Sequence, residues 1–187
     1  VAISSVIGIV VGMLAAYYGG VLDALVMRLA DTVFAFSTTL LAVLLLGVFE
    51  TRGVVTVIFA ICIANWVKYA RTTRGSVLEI KDNAYVVAAR SSGAGDVRIL
   101  FRHILPNALP PLVAEFGLRF CFVFLFIAAL SFLGLGIQPP TADWGGMVRE
   151  NSGAITFGIF TPLWPAAAIA FLTVGVNFIV DWFLHVA

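Results

Sequence analysis

The sequence predicts an all-α protein: a polytopic transmembrane helix bundle forming one domain over residues 1–187. Three observations predict it. The 187 residues are 61% hydrophobic and 11% charged, where a soluble domain averages about 45–50% and about 25%, so too little charge is present to coat a water-facing surface. The apolar residues gather in five runs that are long and nearly free of charge. Most of the Lys and Arg fall in one stretch between two of those runs. The same numbers exclude other classes. Disorder needs low hydrophobicity. A soluble single-core enzyme needs more surface charge. A nucleic-acid binder needs a basic excess that a net charge of +1 does not supply. The chain opens at Val1 inside an apolar run and closes at Ala187 just past another, which reads as a fragment truncated at both ends.

A spanning helix takes about 20 apolar residues. Val1 to Leu22 is the first such run and Thr32 to Phe49 the second. Val54 to Val67 is the third, completed by Tyr69 and Ala70. Phe120 to Ile137, extended back toward Leu109, is the fourth, and Pro162 to Val180 the fifth. Lipid-facing barrel strands would alternate polar and apolar residues, and these runs do not. Sidedness follows from the basic residues. Lys68, Arg71, Arg74, Lys81, Arg90, Arg98 and Arg102 all lie between the third and fourth runs, which puts that loop in the cytoplasm. The loops holding only Arg52 and only Arg149 face outward, and the 19–31 loop with Arg28 faces inward. An inward N-terminus then calls for one more span before Val1, six in the full protein. Cys62 and Cys121 both sit in apolar runs and read as small buried hydrophobes.

Within residues 76–107 the cytoplasmic loop reads as two short helices. Val77, Ile80, Ala84, Val87 and Ala88 recur at three- and four-residue spacing, predicting a helix from Val77 to Ser92. Gly93 ends it in the left-handed region. Asp96 suits the first turn of a second helix, with Arg98 and Arg102 on one face and Ile99 and Leu100 on the other. Leu105-Pro106 closes that helix, and Pro110-Pro111 sets the start of the next span. Small residues crowd the corner at Ala88, Ala89, Gly93, Ala94 and Gly95. On residue physics two readings stand side by side: a corner that lets another protein's backbone approach, and a connector whose arginines rest at lipid headgroups.

The stretch YVVAARSSGAGDVRILFRHILPN resembles the EAA loop of binding-protein-dependent ABC importer permeases. That motif reads E-A-A, three residues, Gly, nine residues, then I-x-L-P. Ala88, Ala89, Gly93, Leu105 and Pro106 fit it, while Val87 replaces the Glu and His103 the Ile. RHILPN is similar to the dipeptide/oligopeptide/nickel branch in particular. So are YYGGVLDALVMRLADTVFAFS, ANWVKYARTTRGSVLEI, ALSFLGLGIQPPTADWGGM and LTVGVNFIVDW, in order along the chain. The resemblance implies a permease subunit in a prokaryotic inner membrane, not an enzyme. It implies as partners a second similar permease, two cytoplasmic ATPase subunits, an extracytoplasmic substrate-binding protein and the bilayer. ATP and Mg would sit on the ATPase chains. This chain has no G-x-x-x-x-G-K-[ST] phosphate cradle, and no cofactor is expected in it. The implied docking residues are Tyr85, Ala88, Ala89, Arg90, Gly93, Ala94, Asp96, Arg98, Arg102, Leu105 and Pro106. The implied cargo is di- or oligopeptide, with nickel or another small solute as the alternative within the family. A secondary transporter driven by an ion gradient is the rival from another class, but it would place titratable groups at mid-membrane.

Polar residues inside spans usually face the bundle interior. Glu115 and Arg119 are one turn apart, suited to a structural ion pair or a gate. Asn65 and Ser131 suit a passage lining or a bond to a neighbouring helix. Asn177 and Asp181 are four apart near the end of the last span, where they suit a charge-stabilised helix end or a passage lining. Pro139-Pro140 stops the fourth span, and Asp143 caps a short interfacial helix carrying Trp144, Met147 and Val148.

Overall fold

The computed structural model describes residues 1–48, 54–137 and 141–186. Every regular element among them is helical. In order they are α1 (Ala2–Tyr18), α2 (Gly20–Ala35), α3 (Thr38–Val48), α4 (Val54–Ile80), α5 (Ala84–Ser91), α6 (Asp96–Ile99), a π-helical turn (Leu100–Ile104), α7 (Leu105–Phe132), α8 (Trp144–Asn151), a 3₁₀ turn (Ser152–Phe157) and α9 (Leu163–Val186). Three continuous helical stretches have spanning length and apolarity: Val54–Ile80, Asp96–Phe132 and Leu163–His185. The pair α2 and α3 reaches that standard only when counted as one broken span, and α1 is an apolar helix of 17 residues, about 25 Å long.

Several expected boundaries move. The first run stops at Tyr18, because Gly19 and Gly20 both adopt positive φ (66° and 61°). The segment expected as an inward loop, 19–31, is instead most of helix α2. The second run is interrupted at Phe36, which is extended (φ −83°, ψ 137°). The fourth run leaves the helix at Phe132, where a turn through Gly134 follows. Arg52 and the Gln138-Pro139-Pro140 stop lie outside the described residues.

The chain divides into two compact units. The first comprises residues 1–37 and 62–116. Here α1 meets α4 through its smallest residues. Ser4, Gly8, Gly12 and Ala16 recur every fourth position and are buried. A methyl group on Gly8 would lie 2.4 Å from the Trp66 carbonyl oxygen, and one on Gly12 would lie 2.4 Å from that of Ala70. Inside lipid there is no hydrophobic gain from bringing two apolar helices together, so close backbone approach and dispersion must hold them. Two Arg–Asp pairs tie α2 to α4. Arg74 donates through Nε and Nη2 to both carboxylate oxygens of Asp23, at 2.6 and 2.7 Å. Arg71 pairs with Asp31 and lies over the Phe34 ring, 4.6 Å from its centroid.

The second unit comprises residues 38–61 and 117–186. Gly117 sits against Val180 so closely that a Cβ there would be 2.4 Å from a methyl of that side chain. The buried Cys121 thiol lies 3.5 Å from the Thr173 carbonyl oxygen. Helix α8 begins as expected at Asp143, whose carboxylate accepts from the backbone N–H groups of Gly145 (3.3 Å) and Gly146 (2.8 Å). Trp144 meets Phe124 edge to face at 6.0 Å, and Phe124 stacks on Phe120. Only 6% of the most apolar window of α9 is buried within the chain, against 44% for α4. That surface is suited to lipid or to another helix.

Candidate functional site

The residues expected to dock a partner form a folded elbow. Helix α4 runs on to Ile80, and the turn at residues 81–83 separates it from α5. One continuous helix from Val77 to Ser92 is therefore not formed, and the break resets the helical phase. Val86 is buried, whereas Val87 and Ala88, expected on the buried face with Val77, are exposed. At the corner Gly93 has φ +81°. Its N–H donates to Arg90 O (3.0 Å) and that of Ala94 to Ala89 O (3.1 Å), the paired bonds of a Schellman end. An L-residue in that backbone state is strained by roughly 1–2 kcal/mol.

Beyond Gly95 the chain enters α6, but it does not stop at Leu105-Pro106. Pro106 has no N–H and its ring crowds the preceding turn. The ladder widens to a π turn over Leu100–Ile104, with Leu105 N–H donating to Leu100 O, and continues into α7. Pro110 and Pro111 lie inside α7 rather than at its start. Asn107 Nδ2 donates to His103 O at 2.6 Å. The second limb of the elbow is therefore the first part of a 37-residue helix of spanning composition.

Val86, Ile99, Leu100 and Ile104 anchor the elbow in a buried cluster with Met13 and Ala16 of α1 and Val77 of α4. The outer face is left open. Tyr85, Ala88, Arg90, Gly93, Asp96, Arg98, Arg102 and Pro106 are exposed, and Ala89, Ala94 and Leu105 are half-buried. Val97 and Phe101 are also exposed, at 70% and 57%. An open groove of about 1050 Å³ runs along this face, lined by Tyr18, Gly93, Gly95, Asp96, Val97, Arg98, Phe101, Arg102 and Pro106. A Cβ on Gly93 would meet nothing within 4 Å, so a side chain there projects into free space that a partner would need. The surface is basic and partly apolar, suited to acidic side chains and carbonyl oxygens around an apolar knob.

Two of the expected docking residues have partners within the chain. The Tyr17 hydroxyl donates to Asp96 Oδ1 at 2.7 Å, and the Arg90 guanidinium lies 5.6 Å from the centre of the Tyr17 ring. Lys81 Nζ reaches the Ala16 carbonyl oxygen at 3.4 Å. Sequence reading passed over Tyr17 and the Arg71 and Arg74 partners. The signals for Tyr17 were its place at the end of an apolar run before Gly19-Gly20 and at the head of the YYGGVLDALVMRLADTVFAFS stretch.

Asn65 is buried on α4, and Glu115 and Arg119 are half-buried a turn apart on α7. Asn177 Nδ2 donates to Thr173 O (3.1 Å) and faces the Cys121 sulfur at 3.4 Å. Ser131 lines a pocket of about 540 Å³ beside Gly134, Asp143 and Arg149. Among the described residues no three of His, Cys, Asp and Glu converge to hold a metal ion.

Residues 8–186 match the family described as "Binding-protein-dependent transport system inner membrane component". The chain is 40% identical over 174 residues to the glutathione transport system permease protein GsiD of Pectobacterium atrosepticum, covering 93% of this chain and 57% of that protein. It is 42% identical over 158 residues to GsiD of Escherichia coli, covering 84% and 52%. It is 35% identical over 175 residues to the oligopeptide transport system permease protein OppC of Bacillus subtilis, covering 94% and 57%. The chain thus spans about half the length of the curated relatives it matches. Its fold is similar to that of a chain of the MetNI methionine ABC transporter in an inward-facing conformation. That likeness has a TM-score of 0.71, at 19% identity over 98% of this chain and 89% of that one.

Proposed function

Since the chain belongs to the family of binding-protein-dependent transport system inner membrane components, we propose that it is a membrane-spanning permease subunit of an ATP-driven importer for small peptides. It forms part of the translocation path and holds no ATP site of its own. The ATP and Mg belong to two cytoplasmic ATPase subunits. A second, similar permease completes the path, and an extracytoplasmic binding protein delivers the cargo. The whole resides in a prokaryotic inner membrane. Peptide cargo is favoured by the relatives, a glutathione permease and an oligopeptide permease.

The observation that carries this reading is the build of the elbow. Its buried side is fixed in the cluster of Met13, Val77, Val86, Ile99, Leu100 and Ile104. Its outer side is open and basic, and its second limb passes without a stop into a long apolar helix. A partner that grips the outer side therefore moves a span directly, with no slack connector to absorb the motion. Closure of the ATPase pair would draw the elbow along and tilt that span, turning the path from inward-open to outward-open.

The test uses the full-length subunit reconstituted with its cognate permease, ATPase and binding-protein partners in proteoliposomes. ATP-dependent uptake of labelled glutathione and of labelled di- and oligopeptides is measured beside capture of the ATPase subunit. Gly93→Arg should leave membrane insertion intact, lose ATPase capture and abolish uptake. Normal uptake by that variant refutes the docking reading. Uptake driven by an ion gradient without ATP refutes the ATP-driven one.

A further inference from the structure

The elbow is tied to α1 by a polar cluster. Tyr17 is the next-to-last residue of α1. Its hydroxyl donates to the Asp96 carboxylate at 2.7 Å across 79 positions of chain. Arg90, from the other limb of the elbow, lies over the same ring at 5.6 Å. Tyr17 therefore contacts both limbs, one on each side of Gly93. Tyr18 packs edge-on against it at 5.3 Å and lines the groove. Lys81 adds a further bond to the last turn of α1, through Ala16 O.

The far side of α1 is equally committed. Gly8 and Gly12 lie in backbone contact with α4 at Trp66, Tyr69 and Ala70. A rigid helix gripped at its end by the elbow and along its flank by α4 transmits displacement from one to the other. We propose that Tyr17, Asp96 and Arg90 form a latch that makes α1 a second transmission rod, carrying motion of the elbow to the Trp66–Ala70 segment of α4. Tyr17 is thus a positioning residue for coupling. Asp96 and Arg90, exposed on the outer face of the elbow, serve the latch as well. This inference rests on the proposed transport function and adds a route of force within it.

Removing the phenolic hydroxyl removes the donor while keeping the ring in place. In the reconstituted full complex, Tyr17→Phe should keep the ATPase subunit bound at wild-type stoichiometry, and Asp96→Asn, at a residue that lines the docking groove, is scored only in complexes that retain the ATPase. ATP hydrolysis should continue, but solute imported per ATP should fall about three- to tenfold, the scale of one solvent-exposed hydrogen bond. The double variant should fall no further than either single one, because both remove the same bond. A merely structural role would lower the melting temperature and the bound ATPase together, with the transport ratio of the surviving complexes unchanged; that outcome overturns the latch. So does a wild-type ratio in Tyr17→Phe, or a fall in the double variant equal to the product of the single ones. Gly93→Arg, run in parallel, separates the two levels. If it loses ATPase binding while Tyr17→Phe behaves as wild type, the latch fails and the docking reading stands. If it retains ATPase binding, the docking reading fails.

Discussion

Replacing Gly12 by alanine sets two physical effects against each other, and the structure says which wins. In an isolated helix the change is favourable by about 1 kcal/mol, because alanine loses less backbone freedom. In this protein the added methyl would lie 2.4 Å from the Ala70 carbonyl oxygen and 2.9 Å from its Cα. Ordinary contact begins at 3.4 Å, so α1 and α4 must separate by about 1 Å, and neither neighbour is a flexible side-chain tip. The displacement spreads along the seam, since Ser4, Gly8 and Ala16 share that face. A gap of that size forfeits about a quarter to a half of the dispersion well at each contact it opens. Overpacking of this kind costs about 1–3 kcal/mol, leaving Gly12→Ala net destabilised by up to about 2 kcal/mol after its helix preference is counted. The measurement is thermal unfolding of the detergent-solubilised full-length complex, with Gly75→Ala as control. Gly75 lies on α4 with nothing within 4 Å of its added Cβ, so only the helix preference acts there and the variant should match or exceed wild type. A Gly12→Ala protein as stable as Gly75→Ala would refute the claim that backbone contact holds α1 to α4.

Two further outcomes follow from the polar contacts. Asp143→Ala removes both cap bonds of α8 and should cost about 1 kcal/mol, whereas Asp143→Asn, which keeps an acceptor, should recover most of it; equal melting temperatures for the two variants would contradict the capping role. Asp23→Asn breaks the two-pronged contact with Arg74, whose side chain is 33% exposed against 18% for Asp23. Because the guanidinium loses its counter-charge in a half-buried setting, a loss of about 1–3 kcal/mol is expected, and Asp31→Asn, at the more exposed pair with Arg71, should cost less than about 1 kcal/mol; melting curves that reverse this order would show that burial does not set the strength of the two pairs.

The sequence by itself determined what depends on composition and on single backbone states. A chain with 61% hydrophobic residues in long uncharged runs is helical in lipid, because only helices and closed barrels satisfy their backbone there and barrel strands would alternate polar and apolar residues. Gly93 was legible as a corner because a helix end with positive φ needs a residue without Cβ, and Asp143 as a cap because a carboxylate one residue before Trp-Gly-Gly meets free N–H groups. Only the tertiary structure decided the rest. Run length reports how much of a helix is apolar, but in lipid every face is apolar, so periodicity is silent about which face meets a neighbour. The Ser4–Gly8–Gly12–Ala16 seam therefore emerged only from the approach of α4. The helical phase of the elbow was lost at the 81–83 turn, and the passage through Pro106 depended on a π turn that propensity does not foresee. The ties of Tyr17 to Asp96 and of Asp23 to Arg74 join residues 79 and 51 positions apart. Which charge meets which is set by how the helices pack, and no local pattern records it.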